Sequence, residues 1–187
     1  MIEVEIKVSL KDEDSKKILE KLKSLGFEKE ETKEQIDTYF NGIDRDFQVT
    51  DEALRIRKSL NLDSNKGTIY VTYKGKKLDA ISKTREEIEV EILDMDLMYN
   101  IFEKLGFKPV HPIRKIRKIY KKEDIEVSFD TVDCVGDYLE IEKVVDDDSK
   151  REQALLELLD LLKSLNISSD KLEKRSYLEL WRGNCGK

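Results

Sequence analysis

The chain opens Ile2-Glu3-Val4-Glu5-Ile6-Lys7-Val8, seven residues in which apolar and charged side chains alternate without a break. A β-strand sends alternate side chains to opposite faces, so Ile2, Val4, Ile6 and Val8 share one face and Glu3, Glu5 and Lys7 the other. Two carboxylates two residues apart on a strand lie about 6.6 Å apart. At an effective dielectric of about 20 they repel by about 2–3 kcal/mol. A half-buried strand wetted on its charged face would tolerate that repulsion; a shared cation would explain it. The pattern returns twice. Ile88-Glu89-Val90-Glu91-Ile92 repeats the opening pentapeptide, and Leu139-Glu140-Ile141-Glu142 gives it a third time.

At 187 residues a single domain, 1–187, is expected, with room for a sizeable core. Charged residues make up 41% of the chain, yet the apolar ones recur at regular intervals, which excludes a disordered polyelectrolyte. The net charge of −6 argues against a protein that grips a nucleic-acid backbone. Cys134 and Cys185 stand far apart, without metal spacing or a disulfide framework, which suits a reducing cytosol. No signal peptide and no apolar run of membrane-spanning length is present, so a cytoplasmic protein without a membrane partner is expected.

Working outward from the first strand, Asp12 can cap a helix carrying Ile18, Leu19, Leu22 and Leu25, ended by Gly26. Residues 27–40 read as extended, 41–51 as a polar loop, and 53–59 with 68–74 as a hairpin closed by the turn-forming cluster 61–67. A lysine-containing loop at 75–82 leads to a strand at 83–93. Asp94 then caps a helix with Leu97, Ile101, Phe102 and Leu105 on one face, stopped by Gly106. Pro109 and Pro112 break the chain. A second hairpin, 113–120 with 125–130, is followed by the third acidic strand at 138–144. A long helix runs from the acidic residues 146–148 to Leu165, with Leu155, Leu158, Leu159 and Leu162 inward. Ser168 or Ser169 caps a last helix that brings Tyr177, Leu180 and Trp181 together.

Strand parity sorts the charges. Glu3, Glu5 and Lys7 share a face, as do Arg55 and Arg57, and Arg85, Glu87, Glu89 and Glu91. The same holds for Lys115 with Arg117, for Glu126, Ser128 and Asp130, and for Tyr138, Glu140 and Glu142. Each acidic strand is followed by an amphipathic helix, so helices cover the apolar faces and the charged faces meet inside a curled sheet. Such an interior suits a polyanion. Arginine forks clasp phosphate oxygens, and facing carboxylates are compatible with them if a hard divalent cation sits between. No Ser-His-Asp set, Walker loop or dinucleotide glycine motif is present. His111 reads as a loop residue between prolines, and Trp181 as packing.

With these motifs in order, the chain resembles the CYTH superfamily, the triphosphate tunnel metalloenzymes. Glu3-x-Glu5-x-Lys7 is similar to the family's opening signature. Asp37-Thr38-Tyr39-Phe40, Leu54-Arg55-Ile56-Arg57, Tyr73-Lys74-Gly75 and Arg85-x-Glu87-x-Glu89 follow. Lys115-x-Arg117, Asp130, Gly136-x-Tyr138-x-Glu140-x-Glu142 and Ser176-Tyr177 extend the likeness over nearly the whole chain. The resemblance implies an α+β fold, an eight-stranded antiparallel β-barrel with helices packed outside. It implies Mg²⁺ or Mn²⁺ held by Glu3, Glu5, Glu140 and Glu142, with Asp130 and Glu89 next. Lys7, Arg55, Arg57, Lys74, Arg85, Lys115 and Arg117 would hold the phosphates. Lys7, Arg57, Lys74 and Tyr39 are the candidates for the reaction itself. The implied partner is a triphosphate-containing small molecule such as ATP. The extended match through residues 35–40 and 130–142 resembles the class IV adenylate cyclases, which would make cyclic AMP and pyrophosphate from ATP. The alternatives are a triphosphatase acting on inorganic, thiamine or nucleoside triphosphate, and a binding module without catalysis.

Overall fold

The computed structural model describes residues 2–78 and 82–186. Strands form over the stretches where apolar residues recur at every second position, and also over the charged stretch 28–35, which has no apolar residue. They are β1 (Ile2–Ser9), β2 (Glu28–Asn41), β3 (Ala53–Asn61), β4 (Lys66–Lys74), β5 (Arg85–Ile92), a two-residue β6 (Lys108–Pro109), β7 (Ile113–Lys122), β8 (Ile125–Val132) and β9 (Gly136–Val145). Among the described residues, eight of these pair antiparallel in the order β3-β4-β5-β1-β9-β8-β7-β2. Pairing of β2 back to β3 closes the barrel, while β6 hangs on the end of β2 at Phe40 and Asn41. The expected eight-stranded antiparallel barrel with outside helices is therefore the fold.

Helices α1 (Ser15–Ser24), α2 (Phe47–Thr50), α3 (Met95–Leu105), α4 (Arg151–Ser164) and α5 (Tyr177–Asn184) lie around it. The outward side chains Val4, Ile6, Val8, Leu139 and Ile141 bury against Ile18 and Leu22 of α1 and Leu158 and Leu162 of α4. Truncating Leu158 to alanine would cost about 2–5 kcal/mol, the usual penalty for a core leucine. With one face of β1 sealed this way, Glu3, Glu5 and Lys7 can only point inward. None of the described helices is long and apolar enough to cross a membrane.

Several expectations need correction. Asp14, not Asp12, caps α1, accepting from the Lys16 and Lys17 amides. The loop at 41–51 contains α2, started by the Asp46 cap and held by the buried Phe47. Ser168 caps only a short 3₁₀ turn; the last helix begins at Ser176, which forms a capping box with Glu179. On α3 the stripe Leu97, Ile101 and Leu105 faces solvent, and Phe102 is the member that turns in, against Phe40. Cys134 and Cys185 are joined in a disulfide, because the fold brings the β8–β9 turn to the end of α5. Their spacing of 51 residues gives no sign of that meeting. His111 stacks on Trp181, ring centroids 4.0 Å apart, so both serve as packing. The expected loop at 75–82 falls partly outside the described residues, at 79–81.

Candidate active site

The inward faces enclose a cavity of about 340 Å³. Of the expected acids, Glu3, Glu5, Glu89, Glu140 and Glu142 line it. So do the bases Arg55, Arg57, Lys74, Arg85, Lys115 and Arg117, together with Tyr39. Lys7 and Asp130 stand apart, buried behind the lining.

Register explains the acidic end. Glu126 lies directly opposite Glu142 across β8–β9, and Glu142 directly opposite Glu5 across β9–β1. Three carboxylates therefore stand abreast on adjacent strands spaced about 4.8 Å apart. Like charges facing each other on a ladder are destabilising. Burial, then Glu3 and Glu126, drive the Glu142 carboxyl well above the ordinary range. Burial and Glu140 raise Glu5 as well. One row along, Ser128, Glu140 and Lys7 face each other. Burial would raise Glu140 too, but Lys83 and Arg117 outweigh it and hold that carboxyl well below the usual range.

The basic residues are all engaged. Arg57 forms a two-pronged pair with Asp37 at 2.6 and 2.7 Å. Arg55 lies 3.5 Å from Asp37 and 3.8 Å from Glu87. Lys74 bridges Glu87 at 2.6 Å and Glu3 at 3.2 Å. Arg117 clasps Asp130 at 2.7 and 2.5 Å and reaches Glu140, and Lys115 meets Asp130 at 3.2 Å. Arg85 donates to the Gly75 carbonyl at 3.1 Å. Lys83 bridges Glu5 and Glu140, donating to both. Lys7 donates to the Arg175 carbonyl at 2.5 Å under the Tyr177 ring, and burial, then Lys83, lower it to about 7. Burial and the nearby Asp37 raise the Tyr39 phenol.

Asp37, Lys83, Glu87, Glu126 and Tyr177 also belong to the site, although none of them was among the candidates given a role. Four of them shared a face with a chosen residue. Asp37 has the parity of Tyr39, Glu126 that of Asp130, and Lys83 and Glu87 that of Arg85. Tyr177 stood only in the Ser176-Tyr177 match, with no role given to it. Its hydroxyl donates to Asp130 at 2.8 Å only because α5 folds across the barrel mouth.

Among the described residues no three His, Cys, Asp or Glu side chains are gathered closely enough to grip a metal as they stand. The donor chemistry of the acidic row nevertheless fits a hard divalent cation. It is all carboxyl oxygen, three carboxyls abreast on neighbouring strands, with Glu142 pushed well above the ordinary range by burial and its acidic neighbours.

Residues 1–177 match the CYTH domain. The chain belongs to the CYTH domain family. Its similarity to the Methanocaldococcus jannaschii protein named "Putative adenylate cyclase MJ0240" is 57% identity over 180 residues, 96% of this chain and 98% of that one. "Adenylate cyclase CyaB" of Aeromonas hydrophila is 34% identical over 91 residues, 49% of this chain and 48% of that one. Among solved structures, the PH1819 protein of Pyrococcus horikoshii OT3 superposes with a TM-score of 0.87 at 37% identity, covering 97% of this chain and 98% of that one. The CYTH barrel thus accounts for where the charged faces point.

Proposed function

We propose that this chain is a single-domain, metal-dependent enzyme acting on a triphosphate, and that its reaction converts ATP to cyclic AMP and pyrophosphate. The observation that carries the reading is one cavity in which an arginine and lysine cluster and a row of carboxylates face each other across the barrel. The near-full-length relative named "Putative adenylate cyclase MJ0240" supports the finer reaction.

Arg55, Arg57, Lys115 and Arg117 would bind the phosphate oxygens through charge-assisted hydrogen bonds, with Lys74 and Arg85 on the neighbouring strands. Asp37 and Asp130 lock the arginines in place, so the clamp is preorganised. Glu3, Glu5, Glu140 and Glu142, flanked by Glu89, would hold Mg²⁺ or Mn²⁺, which supplies Lewis-acid neutralisation of the phosphates. Asp130 serves as the anchor of Arg117 and Lys115 in this reading. Tyr39, lining the cavity, and the enclosed barrel wall would orient the nucleotide and exclude water. Product then depends on placement: a ribose 3′-hydroxyl in line with the α-phosphorus gives the cyclic nucleotide.

The test is incubation of the purified protein with ATP, thiamine triphosphate and inorganic triphosphate, with Mg²⁺, Mn²⁺ or excess EDTA, and identification of products. Cyclic AMP and pyrophosphate are expected from ATP, inorganic triphosphate should survive as an inhibitor, and EDTA should stop turnover. Phosphate release without cyclic AMP would replace the cyclase with a triphosphatase. Thermal protection by every triphosphate without turnover would leave only a binding module. Full turnover in EDTA would remove the metal.

A further inference from the structure

The acidic row of the barrel ends in a base. Strands β1 and β5 pair Ile2 with Glu86 and Glu3 with Arg85. Beyond the regular part of β5 the ladder continues, and the Lys83 amide donates to the Glu5 carbonyl at 2.9 Å. Lys83 therefore stands opposite Glu5, and the row across the strands reads Glu126, Glu142, Glu5, Lys83. The backbone is fastened beside it. The Thr84 carbonyl accepts from the Leu78 amide at 2.8 Å, and the buried hydroxyls of Ser82 and Thr84 share a hydrogen bond of 2.5 Å. The root of the Lys83 side chain is thus fixed, while its flexible four-carbon stem lines the cavity.

The Lys83 ammonium contacts Glu5 and lies 3.4 Å from Glu140 on the neighbouring strand. Both carboxylates are among those that would hold Mg²⁺ or Mn²⁺. An ammonium is a compact point charge that donates to carboxylate oxygens, and a hard divalent cation takes the same oxygens. We propose that Lys83 is a tethered counterion, which holds Glu5 and Glu140 together in the metal-free barrel and yields them to the divalent cation. This role rests on the metal-dependent reading above and adds to it the residue that sets how much metal the barrel needs. What singles out Lys83 is its choice of partners. Arg117 also has Asp130, and Lys74 also has Glu87. Among the described residues, the ion pairs of Lys83 are with Glu5 and Glu140 alone. A cation that takes those two carboxylates takes every anion that Lys83 holds.

Mn²⁺ titration of the full chain, followed by electron paramagnetic resonance with no phosphate compound present, tests this. Lys83→Met keeps the length of the side chain and removes its charge. It should bind Mn²⁺ about tenfold tighter than the wild type or better, because a charge-assisted contact no longer competes. Its metal-free Tm should fall below that of the wild type, and Mn²⁺ should raise it by more. Lys83→Arg, which keeps the charge, should stay near the wild-type affinity. Equal or weaker Mn²⁺ binding by Lys83→Met would overturn the proposal. So would a Lys83→Met protein that stays unfolded in the presence of Mn²⁺, which would make the lysine a permanent part of the fold. If neither the wild type nor Lys83→Met takes up Mn²⁺, with or without inorganic triphosphate, the metal-dependent reading itself falls and the role of Lys83 falls with it.

Discussion

Glu142 sits between two other glutamates, and its situation decides how the empty barrel behaves. Flanked by Glu126 and Glu5 in one row, its carboxyl is pushed well above the range of a surface glutamate. Glu142→Gln should therefore stabilise the metal-free protein by up to about 1 kcal/mol, since it removes a like-charge contact on the ladder. In a chain of this size that is a rise of about 2–4 °C in Tm. The same variant should lose most of the further rise that Mg²⁺ gives the wild type, measured by calorimetric unfolding. A Tm below that of the wild type would show the row to be unstrained. Asp37 works in the opposite direction. Burial would raise its carboxyl, but Arg57 and Arg55 outweigh burial and hold it far below the ordinary value of about 3.9. Its contribution to stability is present above pH 4 and is lost as pH falls towards the depressed folded value. Asp37→Asn should be less stable at pH 7, by about 3–5 kcal/mol because two arginines lose their partner. It should also show a shallower loss of stability below pH 4 in urea unfolding. An acid limb parallel to the wild type's would contradict the pairing.

Among the elements, α5 depends most on distant parts of the chain. It puts Tyr177 over Lys7 and onto Asp130, and its end is tied to the β8–β9 turn by the Cys134–Cys185 disulfide. Closing a ring of that length is worth about 4 kcal/mol through the entropy of the unfolded chain. Reduction, or Cys134→Ser, should lower the urea midpoint accordingly; an unchanged midpoint with and without reductant would show that the bond does not form in solution. Nothing in the sequence revealed this tie, since 51 residues separate the cysteines and only the fold joins them. The strands were far more legible. Period-two alternation marks β1, β5 and β9 unambiguously, and the same alternation sends their acids inward, which is why Glu3, Glu5, Glu89, Glu140 and Glu142 could be named in advance. Helices were legible as amphipathic but not as to what they meet. The stripes of α1 and α4 face the core, whereas Leu97, Ile101 and Leu105 on α3 face out, although all three helices show the same spacing. Lys83 opened the strand expected at 83–93 and shares the parity of Arg85, yet it was given no role; the regular strand starts only at Arg85.

For the molecule as a whole, the inside is charged and the outside of the barrel wall is greasy, the reverse of an ordinary sheet domain. One feature of that interior has a thermodynamic result: its cations already hold its anions. Lys83 is taken by Glu5 and Glu140, Arg117 reaches Glu140 as well as its anchor, and Lys74 is taken by Glu3. The lumen is therefore an ion-exchange bed with its counterions built in. A phosphate chain entering alone would have to prise lysines and arginines from carboxylates and strand those carboxylates without countercharge. A divalent cation entering alone would strand the bases. Arriving together, each ion takes the partners the other releases. Metal and triphosphate should thus bind with positive heterotropic linkage, each tightening the other by the same factor, in the range of about 5–150-fold. Titration calorimetry of inorganic triphosphate with and without Mn²⁺, corrected for the complex the two form in solution, measures that factor. A value of one would mean that the barrel's internal ion pairs survive the arrival of its ligand.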